Sequence, residues 1–278
     1  MSDAIRVGLV GFGYASKTFH APLIGGTPGM ALKAVASSDA DKVHADWPGV
    51  KVMSAPGDLL DDPDIDLVVI ATPNDTHFPL AKAALEAGKH VVVDKPFTVT
   101  LSQARELESL AKHCGRILSV FHNRRWDSDF LTVSALINEG QLGEVCYFES
   151  HFDRFRPQVR QRWREQAGPG SGIWYDLAPH LLDQVVVLFG LPVSITVDLA
   201  QLRPGAQSTD YFHAVLAYPQ RRVVLHGTLL AAAESARFIV HGSRASYIKY
   251  GLDPQEERLK NGERLPQEDW GYDMRDGT

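Results

Sequence analysis

Arg6-Val7-Gly8-Leu9-Val10-Gly11-Phe12-Gly13-Tyr14-Ala15-Ser16 decides how the rest of this 278-residue chain is read. A short apolar strand runs directly into a glycine turn, after which the pattern changes to that of a helix. At such a turn in a parallel sheet, a helix N-terminus presents its free N–H groups to a pyrophosphate. Gly11 suits the tight turn and Gly13 the close approach of backbone to phosphate. Ser16 stands where a third glycine would aid helix packing. Phe12 and Tyr14 belong to the same candidate cofactor loop. A Gly-x-Gly pair alone is often only a turn; the strand before it and the alternation after it point to a dinucleotide.

Outward from that loop, short apolar runs at 6–10, 32–37, 67–71, 90–93 and 117–121 alternate with helical spacing at 78–87 and 101–114. Thr100 is placed to cap the second helix and Gly115 to end it. This is the pattern of an α/β Rossmann domain, a doubly wound parallel sheet, over residues 1–122. Beyond residue 129 the texture changes. A helix to about residue 140, a strand at 144–152, a Gly-Pro-Gly-Ser-Gly loop at 168–172 and a helix at 174–189 are followed by β-rich runs. Those runs, at 194–199, 211–218, 222–230, 237–241 and 247–250, are punctuated by turns such as Tyr218-Pro219-Gln220. Residues 123–278 are therefore expected to form an α+β domain with an open, mainly antiparallel sheet, used for substrate binding and oligomerisation.

The composition, 44% hydrophobic and 22% charged, can bury a substantial core in two domains. With 28 basic against 34 acidic residues the net charge is -6, so no basic footprint for nucleic acid or an anionic membrane is expected. Two cysteines, Cys114 and Cys146, form neither a disulfide framework nor a metal motif, which agrees with a cytoplasmic setting. No signal peptide core and no membrane-spanning apolar run is present. A small-molecule partner fits best, and an open sheet with one uncovered face suggests a homodimer or homotetramer.

Several residues are candidates for chemistry. Lys95, between Asp94 and Pro96 after the run 90–93, sits at a strand end that would open on a ligand crevice, although a surface lysine after an edge strand fits the same context. Ser37 and Ser38 stand at the end of the second strand, where an acidic residue would hold a ribose diol. With Lys42 a turn further on, they favour a 2'-phosphate and hence NADP, while Asp39 keeps NAD possible. Thr72-Pro73-Asn74 follows the next main strand into the same crevice, with His77 opening the helix, and these four are candidate cofactor contacts; an ordinary proline turn with Asn74 as a cap reads the same way. Asp176 and His180 share a helix face, with Asp183 three residues on. The histidine can accept a hydroxyl proton and the carboxylate can orient it, or the two can form a surface ion pair. No metal is expected, since neither a third ligand nor a His-Glu-x-x-His motif accompanies the pair.

Gly11-Phe12-Gly13, Thr72-Pro73-Asn74, Asp94-Lys95-Pro96 and Asp176-x-x-x-His180, in this order, make the sequence resemble the glucose-fructose oxidoreductase/inositol dehydrogenase/MocA (Gfo/Idh/MocA) family over essentially its whole length. Asp94 stands where that family usually has glutamate. The tracts 121–127, 162–165 and 250–253 look like the NADP-dependent scyllo-inositol dehydrogenase branch. The resemblance implies a Rossmann domain joined to an open-sheet domain, with hydride transfer between nicotinamide and a carbon of a cyclic polyol or sugar. It implies Lys95, Asp176 and His180 as catalytic and substrate-binding residues, and Lys95, Trp163 and Arg164 near the nicotinamide. Asn123, Arg124 and Arg125 are expected to line the substrate pocket, although salt bridges linking domains would use them equally well. Family members usually continue past the last strands into a further helix, so a truncated C-terminus is also expected. Two other activities stay open: a nucleotide-binding sensor without turnover, and redox-assisted elimination or glycoside cleavage.

Overall fold

The computed structural model describes residues 4–265 and 267–278, which divide into two compact units. The first comprises the chain up to Phe121 together with Gln255–Trp270. Its elements are β1 (Ile5–Val10), α1 (Ala21–Gly26), β2 (Met30–Ala36), α2 (Ala40–Asp46), β3 (Lys51–Met53), α3 (Pro56–Leu60), β4 (Leu67–Ile70), α4 (His77–Glu86), β5 (His90–Asp94), α5 (Leu101–Cys114) and β6 (Leu118–Phe121). A π-helical turn, Ser16–His20, leads into α1. The six strands are ordered β3-β2-β1-β4-β5-β6 and all pair in parallel. That is the dinucleotide-binding order, with its crevice at the strand C-terminal ends.

Helices cover both faces of this sheet, so its central strands are apolar without alternation: Val68, Val69 and Ile70 in β4, like Val91 and Val93 in β5, are buried. Helix α5 starts where its capping box dictates, with Thr100 Oγ1 accepting from the Gln103 N–H and Gln103 returning a bond to the Thr100 N–H. It stops at Gly115, whose φ of 60° only glycine adopts cheaply. The sequence pattern misses β3, α2 and α3, which are three to seven residues long. Segments that short carry fewer than two repeats of the helical or strand period, too few for a pattern to register.

The second unit comprises His122–Pro254 and Gly271–Thr278. It contains α6 (Ser128–Asn138), β7 (Val145–His151), α7 (Gly172–Phe189), β8 (Ser194–Ala200), β9 (Tyr211–Ala217), β10 (Arg222–Thr228), β11 (Ala236–Gly242) and β12 (Ser246–Tyr250). Strand order is β12-β11-β7-β10-β9-β8; β7 and β10 run parallel and every other pair antiparallel. Alternation is strict along β9 and nearly so along β7 and β12, while β8 is exposed along most of its length. Phe148, Phe212, Leu216, Leu225 and Phe238 turn to one face and pack with Leu177, Leu181 and Val185 of α7. Tyr147, Glu149, His151, His213 and His226 lie on the opposite face.

Gly172 opens α7 at φ +82°, and a Cβ there would meet the Thr209 backbone nitrogen at 2.8 Å. The close approach at this end of the glycine-rich loop is therefore to the β8–β9 connection, where the Ile173 N–H donates to the Thr209 carbonyl. The last helix, α8 (Gln255–Lys260), belongs to the first unit and packs on the Ser16–His20 turn. No helix among the described residues is long and apolar enough to cross a membrane.

Candidate active site

Gly11 has φ +87°, and a Cβ there would sit 2.9 Å from the Ala71 carbonyl oxygen, so no other residue turns the chain between β1 and β4 without strain. Gly13 differs: a Cβ added there meets nothing within 4 Å. Nothing in the protein's own packing requires glycine at this position; backbone left bare at a helix N-terminus suits the approach of a phosphate. Ser16, in the place of the third glycine, is fully buried and donates its Oγ hydrogen to the Gly11 carbonyl at 2.8 Å, bracing the turn. Phe12 is buried in the core beside Val7 and Ile24. The Tyr14 hydroxyl donates to Glu256 of α8 at 2.7 Å, and burial together with that carboxylate pushes its pKa up to about 12. Tyr14 is thus tied to the tail helix through its side chain, and its backbone is what the loop presents.

At the end of β2, Ser37 Oγ accepts from the Asp39 N–H at 3.1 Å. Asp39 caps α2, its Oδ1 accepting from the Lys42 N–H at 3.0 Å. The carboxylate that kept NAD open is thus engaged in helix capping, and Ser38 and Lys42 are exposed beside it. After β4, Thr72 and Thr76 bond through their hydroxyls at 2.6 Å, Pro73 precedes a single 3-10 turn, and Asn74 is buried. His77 faces the Pro96 carbonyl with Nδ1 at 2.8 Å and the Thr72 carbonyl with Nε2 at 3.0 Å. In either neutral tautomer the single ring N–H donates to one of these two carbonyls, so His77 ties the start of α4 to the backbone of this loop or of the Lys95 turn.

Lys95 follows the last residue of β5, half-buried, with its N–H donating to Asp94 Oδ1 at 2.8 Å and a cis bond to Pro96. Sequence reasoning missed the residue behind it. His20, buried at the end of the π-helical turn, places Nε2 3.9 Å from Asp94 Oδ2 and packs its ring on Phe121 with centroids 4.2 Å apart. Burial alone would raise the Asp94 pKa, but His20 and Lys95 outweigh it and hold the carboxyl below its usual range. Nothing local to His20 signals this, because its partner lies 74 positions away.

In the second unit, α7 carries Asp176 and His180 on one face. His180 is 7% exposed, with its ring edge-on to Phe152 at 6.0 Å. Asp176 Oδ1 lies 3.6 Å from Arg164 Nε, and the Arg164 guanidinium stacks over Trp163 at 4.6 Å. Trp163, Arg164 and Asp176 thus form one chain of contacts. Arg125 grips Asp183 with two bonds of 2.7 and 2.6 Å, and His122 Nε2 stands 3.6 Å from the same carboxylate. Arg124 is buried, with Nη1 donating to Asp127 at 3.2 Å and its carbonyl accepting from Gln184. The arginine forks bond within this unit, and Asn123 opens the 3-10 turn that carries them.

Residues 5–122 match the family model described as oxidoreductase family, NAD-binding Rossmann fold, and residues 134–278 match its C-terminal alpha/beta domain. The chain belongs to the Gfo/Idh/MocA oxidoreductase family. It is a nicotinamide-dependent dehydrogenase fold, and the bare Gly13 backbone beside β1 fits that cofactor. Among relatives of this Gfo/Idh/MocA chain, the uncharacterized oxidoreductase YdgJ of Escherichia coli (strain K12) is 82% identical over 100% of this chain and 80% of that protein. The scyllo-inositol 2-dehydrogenase (NADP(+)) IolW of Bacillus subtilis (strain 168) is 38% identical over 98% of this chain and 76% of that protein. The solved YPO2259 oxidoreductase structure from Yersinia pestis superposes with a TM-score of 0.95 at 71% identity, covering 100% of this chain and 78% of that one.

This family member supports α7 from beneath with a buried charge cluster. Arg237, 2% exposed, reaches Asp129 at 3.3 Å and donates to Gln184 Oε1 at 3.0 Å, and its guanidinium stacks on Phe152, the ring that His180 also meets. Three carboxylates, Asp127, Asp129 and Asp253, face two guanidiniums, Arg124 and Arg237. Burial pushes Asp127 up to about 7 against the pull of Arg124, with Asp129 and Asp253 adding to the rise, and raises Asp129 as well, so below that pH Asp127 holds a proton. The folded protein binds this proton between the unfolded pKa of about 4 and about 7, so its contribution to stability falls as pH rises through that window. Asp127→Asn, which mimics the protonated acid, is expected to match the parent near pH 4 and to exceed it by about 2–4 kcal/mol near pH 8. Urea unfolding across that range checks it; a difference that does not change with pH would show that Asp127 does not titrate there.

Proposed function

We propose that this dehydrogenase transfers hydride between NADP and a secondary alcohol of a cyclic polyol or sugar, with scyllo-inositol as the first substrate to test. The observation that carries this reading is the likeness, over 98% of this chain and 76% of the relative, to a protein named scyllo-inositol 2-dehydrogenase (NADP(+)), in a chain whose Asp39 is engaged in capping. Bound at the Gly11–Gly13 turn, the nicotinamide supplies the hydride acceptor. Lys95 donates a hydrogen bond to the carbinol oxygen, lowering the cost of negative charge there. His180 takes the hydroxyl proton as the carbon–hydrogen bond breaks, leaving a ketone. Asp176 orients the substrate and the imidazole, and Arg164, itself stacked on Trp163, steadies Asp176. Ser37, Ser38 and Lys42 receive the 2'-phosphate.

The test is a screen of inositols and sugars with NADP and NAD separately, read as nicotinamide absorbance. Polyol-dependent reduction of NADP supports the reading. Tight cofactor binding with no reduction across the panel would favour a sensor, and polyol turnover without net reduction would favour a transient-oxidation lyase. Cofactor choice has its own check. Ser38→Asp places a carboxylate where the phosphate would sit, and is expected to shift the NADP-to-NAD ratio of kcat/KM toward NAD by about 10-fold or more. An unchanged ratio would remove the β2 end from cofactor selection.

A further inference from the structure

The open face of the second sheet carries a row of side chains brought together by strand register. Asp198 of β8 is opposite His213 of β9, His213 is opposite His226 of β10, and His226 is opposite His151 of β7. Asp153, just past the end of β7, projects to the same place. Its Oδ2 lies 3.2 Å from His151 Nδ1 and its Oδ1 lies 3.6 Å from His226 Nε2. One ligand atom from each of the three residues falls within 4.8 Å of the others. This face is the one turned away from α7 and His180, so the dehydrogenase chemistry does not use it.

We propose that His151, Asp153 and His226 form a binding site for a divalent transition-metal ion of the zinc type. Two imidazole nitrogens and one carboxylate oxygen are ligands that zinc, cobalt and nickel accept and that magnesium and calcium disfavour. In a tetrahedral site with bonds of about 2.0–2.1 Å, neighbouring ligand atoms stand about 3.3 Å apart. The edge from His151 Nδ1 to Asp153 Oδ2, at 3.2 Å, is already at that spacing, while His226 Nε2 stands 3.6 Å from the other oxygen of the same carboxylate, Oδ1.

The arrangement behind the ligands argues more strongly than the ligands themselves. His151 directs its other nitrogen, Nε2, at Glu149 Oε1 at 2.7 Å, and Glu149 Oε2 accepts from the Tyr147 hydroxyl at 2.7 Å. A carboxylate holding the far nitrogen of a histidine is the outer shell found behind metal-bound imidazoles; it directs the lone pair of Nδ1 toward the ion. Asp153 is held as well, with Oδ1 accepting from the Thr228 N–H at 3.2 Å. The His226 ring is fixed between Tyr211, His213 and His151, with centroids at 5.2, 5.6 and 5.2 Å. Four of these side chains, His151, Asp153, His226 and Glu149, are only 8–19% exposed, so water competes weakly for them. Three protein ligands leave a fourth position for water or a further group.

The test uses the whole chain, cleared of metal with a chelator, and titrates zinc by calorimetry and cobalt by visible absorption. The expected result is one equivalent per chain, with a tetrahedral cobalt spectrum and no comparable heat from magnesium or calcium. Asp153→Asn and His226→Gln are each expected to abolish stoichiometric binding. Glu149→Gln, which leaves the ligands in place, is expected to keep one equivalent but weaken it by about 10–100-fold. Circular dichroism and NADP affinity, unchanged in all three, separate metal loss from misfolding. Absence of stoichiometric binding to the parent overturns the proposal, as does binding that survives both ligand substitutions or a preference for magnesium or calcium.

Discussion

Lys95→Met and His180→Asn are each expected to lower kcat for polyol oxidation by about 10²–10⁴-fold, the range of a positioned acid–base or oxyanion group. Methionine keeps the length of the lysine stem and removes its charge; asparagine keeps a polar group at His180 without a base. Neither change should move NADP affinity by more than a few fold, because the Gly11–Gly13 turn and the β2 end remain intact. The double variant should lose little beyond the worse single, since groups acting on one proton transfer are non-additive. Near-native turnover in both single variants would sink the assignment. A loss confined to KM would instead make these residues binding groups. The structural basis differs for the two: Lys95 is held by the Asp94 turn with His20 behind it, and His180 by packing on Phe152.

Arg203→Met is expected to destabilise the second unit by about 3–5 kcal/mol, the usual cost of stranding buried carboxylates. Arg203 is 4% exposed, and its guanidinium bonds Asp210 at 3.0 Å, Glu165 at 3.1 Å and the carbonyls of Arg156 and Gln158 at 3.0 and 3.1 Å. Asp210 and Glu165 are themselves buried, so removing the cation takes the ion-pair partner from Asp210 and one of two from Glu165, which keeps Arg162 and the Arg160 N–H. The consequence extends to the candidate site, because Glu165 ends the 3-10 turn that carries Trp163 and Arg164. Urea unfolding should show a lower midpoint, and residual folded enzyme should show weakened substrate binding. Arg203→Lys, which keeps the charge but not the fork, should recover only part of the loss. A midpoint unchanged within about 0.5 kcal/mol would show that the network contributes specificity of loop position rather than stability.

Much of the site was open to reading because its signals are local. The Gly11 turn, the strand-end Lys95 and the four-residue spacing of Asp176 and His180 each depend on neighbours within one turn or one strand. Other readings changed once partners across the fold were visible. His77, taken as a cofactor contact, faces two backbone carbonyls; the Tyr14 hydroxyl meets Glu256; Arg124 is buried against Asp127 and Arg125 grips Asp183. A long polar side chain can reach any of several elements, so these protein partners are not written in the residues' own neighbourhoods.

By itself the sequence determined the parallel Rossmann sheet and the open second sheet and put forward Lys95, Asp176 and His180 as candidates for hydride chemistry, since apolar period, caps and obligatory glycines report a residue's own surroundings. Only the tertiary structure decided that His20 stands behind Asp94, that Arg203 joins Glu165 to Asp210, and that His151, Asp153 and His226 converge. Those juxtapositions depend on which strands become neighbours and in what register. A single-residue slip between β7 and β10 would turn His226 to the other face and disperse the cluster without altering either strand's own pattern.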